Sequence, residues 1–296
     1  MNNIRTDLAL EAKELWEEGA KETTTLQGVK AKEYQCEGFV CEEVRILDER
    51  GEHALKKPVG TYITVNLEGL LTGEEGIFQR AIQVMAKELS QLLQPKQTQG
   101  LVLVAGLGNR AITPDALGPK VHDYTLVTRH LVEHMPEQFG GFRPVISLAT
   151  EVLGTTGIES GELVQAVCEK VKPSCVIAVD ALAARSLERL CKTVQLCDTG
   201  ITPGSGVGNH RIGLNERSLG VPVISIGVPT VVEARTLAID LLHGQTHPLL
   251  EQGEGLFVTP KEIDRQVNEF AKVIGYGIGM ALHQGVCLSD LEYLLG

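Results

Sequence analysis

What the 296-residue sequence lacks narrows its chemistry before any motif is read. Basic residues are in deficit. Twenty-seven Lys and Arg stand against 38 Asp and Glu, a formal net charge of −11, and they form no dense basic stripe. Such a chain repels phosphate backbones, so direct binding to DNA or RNA is not expected. Its seven cysteines (Cys36, Cys41, Cys168, Cys175, Cys191, Cys197 and Cys287) are odd in number and contain no C-x-x-C pair. Several sit inside apolar runs, as Cys175 does, and they read as buried reduced thiols of a cytoplasmic protein. No apolar run approaches the roughly 20 residues of a membrane span, and the segment Met1 to Asp7 has no apolar core of signal-peptide length. A soluble, intracellular protein with no membrane partner is expected. Internal repeats, low-complexity tracts and clear linkers are also missing, as are H-E-x-x-H and G-x-S-x-G.

What is present is a change of rhythm along the chain. Leu8 to about Glu22 is rich in Ala, Leu, Glu and Lys, with Leu8, Ala12, Leu15 and Trp16 near helical spacing. The segments starting at Gly38 and Gly60 alternate and carry β-branched residues, which suggests strands. Gly76 to Leu93 places Ile77, Ala81, Val84, Met85, Leu89 and Leu92 on one helical face. From residue 100 onward, continuous apolar runs begin at Leu101, Pro144, Cys175, Thr193 and Val221 and alternate with helical stretches. That pattern fits strands buried on both faces and joined by right-handed crossovers. A last long helix is expected from Pro260 to about His283, capped by Thr259 with Pro260 in its first turn. The expected fold is α/β: one domain with a mostly parallel sheet flanked by helices and a small N-terminal extension containing β-structure.

Ligands of an open parallel sheet bind beyond the carboxyl ends of its strands. Asp115 lies in the loop after Leu101–Ala105, Asp180 ends the run Cys175–Val179, and Asp198 follows Thr193–Cys197, so three aspartates are expected at one rim. A carboxylate ending a buried strand costs free energy unless it is paired or keeps its proton. Two carboxyl groups brought close can share one proton, one acting as base toward water and the other as donor to a substrate. The bland alternative is that Asp115 and Asp198 cap helices or turns. Other motifs compete. Gly106-x-Gly108-x-x-Ala111 matches a loose dinucleotide fingerprint, but Pro114 and Asp115 fall where its helix should be running. Gly204, Ser205 and Gly206 belong to a loop that is either an anion nest or, as preferred here, a lining for substrate. His130-Leu-Val-Glu-His134 spells an inverted zinc-peptidase motif without a third ligand nearby, so no metal is assigned.

Taken in order, Arg5-Thr-Asp-Leu-Ala-Leu-Glu-Ala, Thr113-Pro-Asp-Ala-Leu-Gly-Pro, Gly154-Thr-Thr-Gly-Ile-Glu, Ile177-Ala-Val-Asp-Ala-Leu-Ala-Ala-Arg, Asp198-Thr-Gly-Ile-Thr-Pro-Gly-Ser-Gly-Val-Gly-Asn and Val258-Thr-Pro-Lys-Glu-Ile-Asp resemble the germination protease family over nearly the whole chain. The stretch from Gly106 to Gly118 is more weakly similar to the hydrogenase maturation proteases, which implies a shared phosphorylase/hydrolase-like fold. The resemblance implies a zymogen of atypical aspartic type that removes a short propeptide and then degrades small acid-soluble spore proteins early in germination. It implies a homotetramer of the spore core cytoplasm with no cofactor. It assigns Asp115 and Asp180 as the catalytic pair; beside that assignment, the position of Asp198 makes it a candidate supporting or substrate-lining residue. The propeptide would be residues 1–7, cut between Asp7 and Leu8, leaving 8–296 as the peptidase domain. The family normally carries a longer segment between His243 and Val258 than this chain has.

Overall fold

The computed structural model describes residues 6–19, 26–96, 100–204, 212–242 and 247–295. Among the described residues nine strands form one sheet: β1 (Val29–Cys36), β2 (Phe39–Ile46), β3 (Gly60–Asn66), β4 (Val102–Gly106), β5 (Val145–Ala149), β6 (Cys175–Ala184), β7 (Thr193–Cys197), β8 (Val223–Glu233) and β9 (Phe257–Val258). Their order across the sheet is β1-β2-β3-β7-β8-β6-β4-β5, with β9 on the far part of β8. The centre is as the apolar runs imply. β5, β4, β6 and β8 lie parallel, and β4, β6 and β8 are buried on both faces.

The N-terminal strands join the same sheet. β7 runs antiparallel to β8 and to β3, and through it the hairpin strands β1–β3 continue the same sheet. β7 is as buried as the parallel strands β4, β6 and β8, so its residues carry no mark of its direction.

Alternation within each strand sorts the core. Val102, Val104, Ile177, Val179, Val194, Leu196, Ile224 and Ile226 meet the helices Ile77–Leu93, Leu117–Asp123 and Ile263–Leu282 on one face. Leu103, Ala105, Val176 and Ala178 meet Val164 and Cys168 of the helix Ser160–Val171 on the other. A third cluster joins Ala9 and Leu10 of the helix Ala9–Gly19 to Val44, Ile46 and Tyr62. The two longest helices approach closely at Gly277, where a Cβ would lie 2.8 Å from that of Met85.

Local differences from the sequence expectations have physical causes. The long C-terminal helix begins at Ile263, not Pro260, because the Thr259 hydroxyl donates to the Thr230 carbonyl at 2.8 Å instead of capping it. The region from Val121 to His134 runs through two short helices, Leu117–Asp123 and Arg129–His134. Cys287 is exposed and Cys36 half-buried, whereas Cys41, Cys168, Cys175, Cys191 and Cys197 are buried. Burial pushes the Cys41 and Cys191 thiols up to about 12, which keeps them protonated and inert.

Candidate active site

β6 outruns β4. Gly106, the last residue of β4, stands opposite Val179, so Asp180 is the first residue of β6 beyond its neighbour. A cavity of about 360 Å³ opens there, lined among others by Asp7, Asp115, Asp180, Thr202, Gly204 and Thr230. It lies beyond the carboxyl ends of the parallel strands, where the topology places a ligand.

Each aspartate is held by backbone. Asp180 is 5% exposed, and its Oδ1 accepts from the Ala181 amide at 2.9 Å. Asp115 sits in a short turn, Thr113–Asp115, and its Oδ2 accepts from the Asn109 amide at 2.9 Å. Gly108 makes that turn possible: its φ is +110°, and a Cβ there would lie 2.1 Å from the Asp115 carbonyl oxygen. Gly108 therefore serves close packing of the loop on Asp115, and an amide that a dinucleotide phosphate would need is already donated to that carboxylate.

Asp7 is the third acid at the cavity. Its backbone amide donates to the Ala183 carbonyl at 3.0 Å, and the Ala183 amide donates to its Oδ2 at 2.8 Å. The chain around it, Thr6-Asp7-Leu8-Ala9, thus lies along the end of β6, with Leu8 and Ala9 fully buried beyond it. A second cavity of about 220 Å³, lined by Lys57, Tyr62, Gln195, Cys197 and Ser225 among others, also includes Asp7, so the two flank this segment. Burial pushes the Tyr62 phenol well up, and it stays protonated.

Asp198 is not brought to this rim. Because β7 is antiparallel, Gln195 stands level with Gly227 and Asp180, and the chain runs away from them to Cys197 opposite Ser225. Asp198 lines neither cavity. Its carboxylate accepts from the Thr61 amide at 2.7 Å and lies 3.8 Å from the Lys96 ammonium, a brace between β3 and the turn after β7. Gly204 lines the main cavity. Ser205, Gly206 and His210 lie outside the described residues. His130 and His134 are exposed on the helix Arg129–His134, and neither lines the cavity. Among the described residues no group of three or more His, Cys, Asp or Glu side chains could hold a metal ion, and no helix is long and apolar enough to cross a membrane.

Three residues at the site escaped sequence reasoning. Thr230 is fully buried at the cavity, and its hydroxyl meets no hydrogen-bond partner among the described residues. Lys57 and Gln195 both reach the Asp7 carbonyl oxygen. Gln195 was legible in principle as an amide inside an apolar strand, a residue that a buried site must satisfy. Lys57 carries no such signal.

A cleft lined by carboxyl groups at the open end of an α/β sheet defines a hydrolase-like site, and comparison with known proteins specifies it. The family model described as germination protease matches residues 9–246. A germination protease of Caldanaerobacter subterraneus subsp. tengcongensis is 45% identical over 99% of this chain and 98% of its own. One of Clostridium tetani is 40% identical over 99% of both chains, and one of Bacillus pumilus 38% identical over 97% of this chain and 95% of its own. A NiFe hydrogenase maturation protease from Thermococcus kodakarensis aligns in structure at 19% identity, covering 65% of this chain and 99% of that one, with a TM-score of 0.37. The chain belongs to the germination protease family. It is a protease, hence a hydrolase, and acts on protein.

Proposed function

We propose that this protease is an endopeptidase that degrades small acid-soluble spore proteins during germination, in the cytoplasm of the spore core. It is made as a zymogen and activates itself by cutting between Asp7 and Leu8. Residues 1–7 are the propeptide, and 8–296 form the working enzyme. The chemistry is hydrolysis by a water held between Asp115 and Asp180. One carboxylate takes a proton from the water, the other carboxyl supplies a proton to the substrate, and the pair returns to its shared-proton state after each turnover.

The observation that carries this reading is the gathering of Asp7, Asp115 and Asp180 around one cavity. The two candidate catalytic acids come from separate elements, the turn Thr113–Asp115 and β6, and the third acid belongs to a segment of acidic, apolar, alanine pattern that lies like a substrate along β6. Burial of Asp180 supports a carboxyl that needs a partner charge or a proton.

The test is amide replacement. Asn nearly matches Asp in shape but cannot take up or release a proton. Asp115→Asn and Asp180→Asn are expected to fold, to retain residues 1–7 under mild acid, and to lose about 100- to 10,000-fold or more of spore-protein cleavage. Losses in the double variant are expected to be far from additive, because the pair acts as a unit. Asp198→Asn is expected to retain most activity and to lose stability instead. A folded Asp180→Asn enzyme with a tenth of wild-type activity would falsify the pair.

A further inference from the structure

The segment across the Asp7–Leu8 bond is held by more than its fit to β6. The Lys57 ammonium donates to the Asp7 carbonyl oxygen at 3.0 Å and to the Thr6 carbonyl oxygen at 3.4 Å. The Gln195 Nε2 donates to the same Asp7 oxygen at 3.3 Å. That oxygen belongs to the bond that self-processing must break, and two donors converge on it from different elements, one from the turn before β3 and one from β7.

Gln195 is 7% exposed, and its amide cannot turn over freely. Its Oε1 accepts from the Ala9 amide at 2.8 Å, and a backbone N–H there must face an oxygen, which fixes Nε2 toward Asp7. The same side chain thus grips the peptide on both sides of the Asp7–Leu8 bond, at the carbonyl before it and the amide after Leu8.

We propose that Lys57 and Gln195 are catalytic residues that form the oxyanion site of this protease, receiving the carbonyl oxygen of the scissile bond, first that of Asp7 and afterwards that of each acidic residue preceding a cut in a spore protein. The inference rests on the reading of Asp7–Leu8 as the self-processing bond. Water adds through its oxygen to the Asp7 carbonyl carbon while one of Asp115 and Asp180 takes its proton. The carbonyl π pair moves to the oxygen, which becomes an alkoxide facing the Lys57 ammonium and the Gln195 N–H. The alkoxide then collapses, the carbon–nitrogen bond breaks, and the Leu8 nitrogen leaves as an amine with the proton of the other aspartic acid. Donors fixed in place before reaction stabilise the charge that develops on that oxygen, which the ground-state carbonyl lacks.

The experiment uses the full chain. Shedding of residues 1–7 is followed by intact-mass spectrometry after a shift to mild acid, and cleavage of an acid-soluble spore protein is followed in the same samples. Lys57→Met and Gln195→Glu are expected to slow both reactions about 100- to 1,000-fold, the usual loss for one oxyanion donor. Gln195→Glu keeps the acceptor for Ala9 while removing the donor. Lys57→Arg, which restores a cationic donor, is expected to recover at least tenfold of the lost rate. Hydrogen exchange at Leu8 and Ala9 and the melting temperature report whether the segment stays docked. Should the wild type cleave both bonds and folded Lys57→Met and Gln195→Glu keep pace within about threefold, the oxyanion site is refuted while the protease reading stands. Slow variants that Lys57→Arg does not rescue, with faster exchange at Leu8, refute it as well and make the two side chains a tether. A wild type that cleaves spore proteins yet never sheds residues 1–7 removes the reading on which the inference rests. Lys57 is only half-buried, so its variants decide the matter if Gln195→Glu fails to fold.

Discussion

At the scale of single residues, the site was half legible. Asp180 betrays itself by ending a buried apolar run, and Asp115 by following one, because the carboxyl ends of parallel strands converge on one rim. The same logic misplaced Asp198, since a five-residue strand reads identically in either direction and only its neighbours set which rim it points to. Lys57 and Thr230 were invisible because nothing about a lysine in a turn or a threonine in a strand marks what it faces after folding. One buried residue outside the site makes a quantitative prediction. His283 is 2% exposed, neither ring nitrogen meets a hydrogen-bond partner among the described residues, and its ring lies tilted against Phe142 with the centroids 5.0 Å apart. Burial, with the Arg143 charge beside it, pushes the imidazole down to about 4. The unfolded chain therefore binds this proton before the folded one does. Stability from a neutral His283 is fully present above about pH 6.5 and is lost as pH falls toward 4, by on the order of 2 to 3 kcal/mol. Urea unfolding of wild type and His283→Leu at pH 7.5 and pH 4.5 checks this. The wild type is expected to lose stability relative to the variant over that interval, and equal losses would show that His283 is not held neutral.

At the scale of elements, strongly periodic segments were readable, and segments positioned by tertiary contacts were not. The helix Ile77–Leu93 and the parallel strands β4, β6 and β8 follow from their apolar patterns. β1 does not: it is an edge strand whose residues are mostly exposed on both faces, so it lacks the alternation that a half-buried strand would carry. The helix Ala9–Gly19 was visible, but the device that fixes it was not. Glu11, in its first turn, is fully buried. It accepts from the Arg185 amide at 2.7 Å and the Ser186 amide at 3.2 Å, and from the Thr6 hydroxyl. Burial raises its pKa against these donors. The carboxylate thereby ties the helix and the segment before it to the end of β6, next to the cavity. Glu11→Gln presents an NH₂ group where only acceptors are wanted. It is expected to destabilise the fold by about 2 kcal/mol and to speed hydrogen exchange at Leu8 to Ala12 selectively. Uniform protection across the chain with an unchanged urea midpoint would mean that Glu11 is not the latch.

At the scale of the whole molecule, the surface argues for assembly. Each chain carries a formal charge of −11, so copies repel one another, and association needs an apolar contact large enough to overcome that repulsion. Large exposed apolar residues concentrate between Leu241 and Val258, with Leu249 at 62% and Leu256 at 60% exposure, joined by Leu242 and Phe257. Exposed apolar side chains concentrated in this way mark a candidate interaction site. It borders the cavity that Asp115 and Asp180 line, because Phe257 lines that cavity too and β9 pairs with the far end of β8. Subunits that cover this stretch in the proposed homotetramer would frame the cavity mouth and restrict it to extended, unfolded substrates such as spore proteins. Leu249→Glu combined with Leu256→Glu adds two charges without touching the core. Sedimentation is expected to give tetramers for the wild type and smaller species for this variant, with partial recovery of tetramer at high salt, where charge repulsion is screened within about 3 Å at 1 M. Loss of assembly is also expected to broaden cleavage toward folded proteins, since the framed mouth opens. A wild type that sediments as a monomer at micromolar concentration removes the tetramer, and a double variant that remains tetrameric places the interface elsewhere.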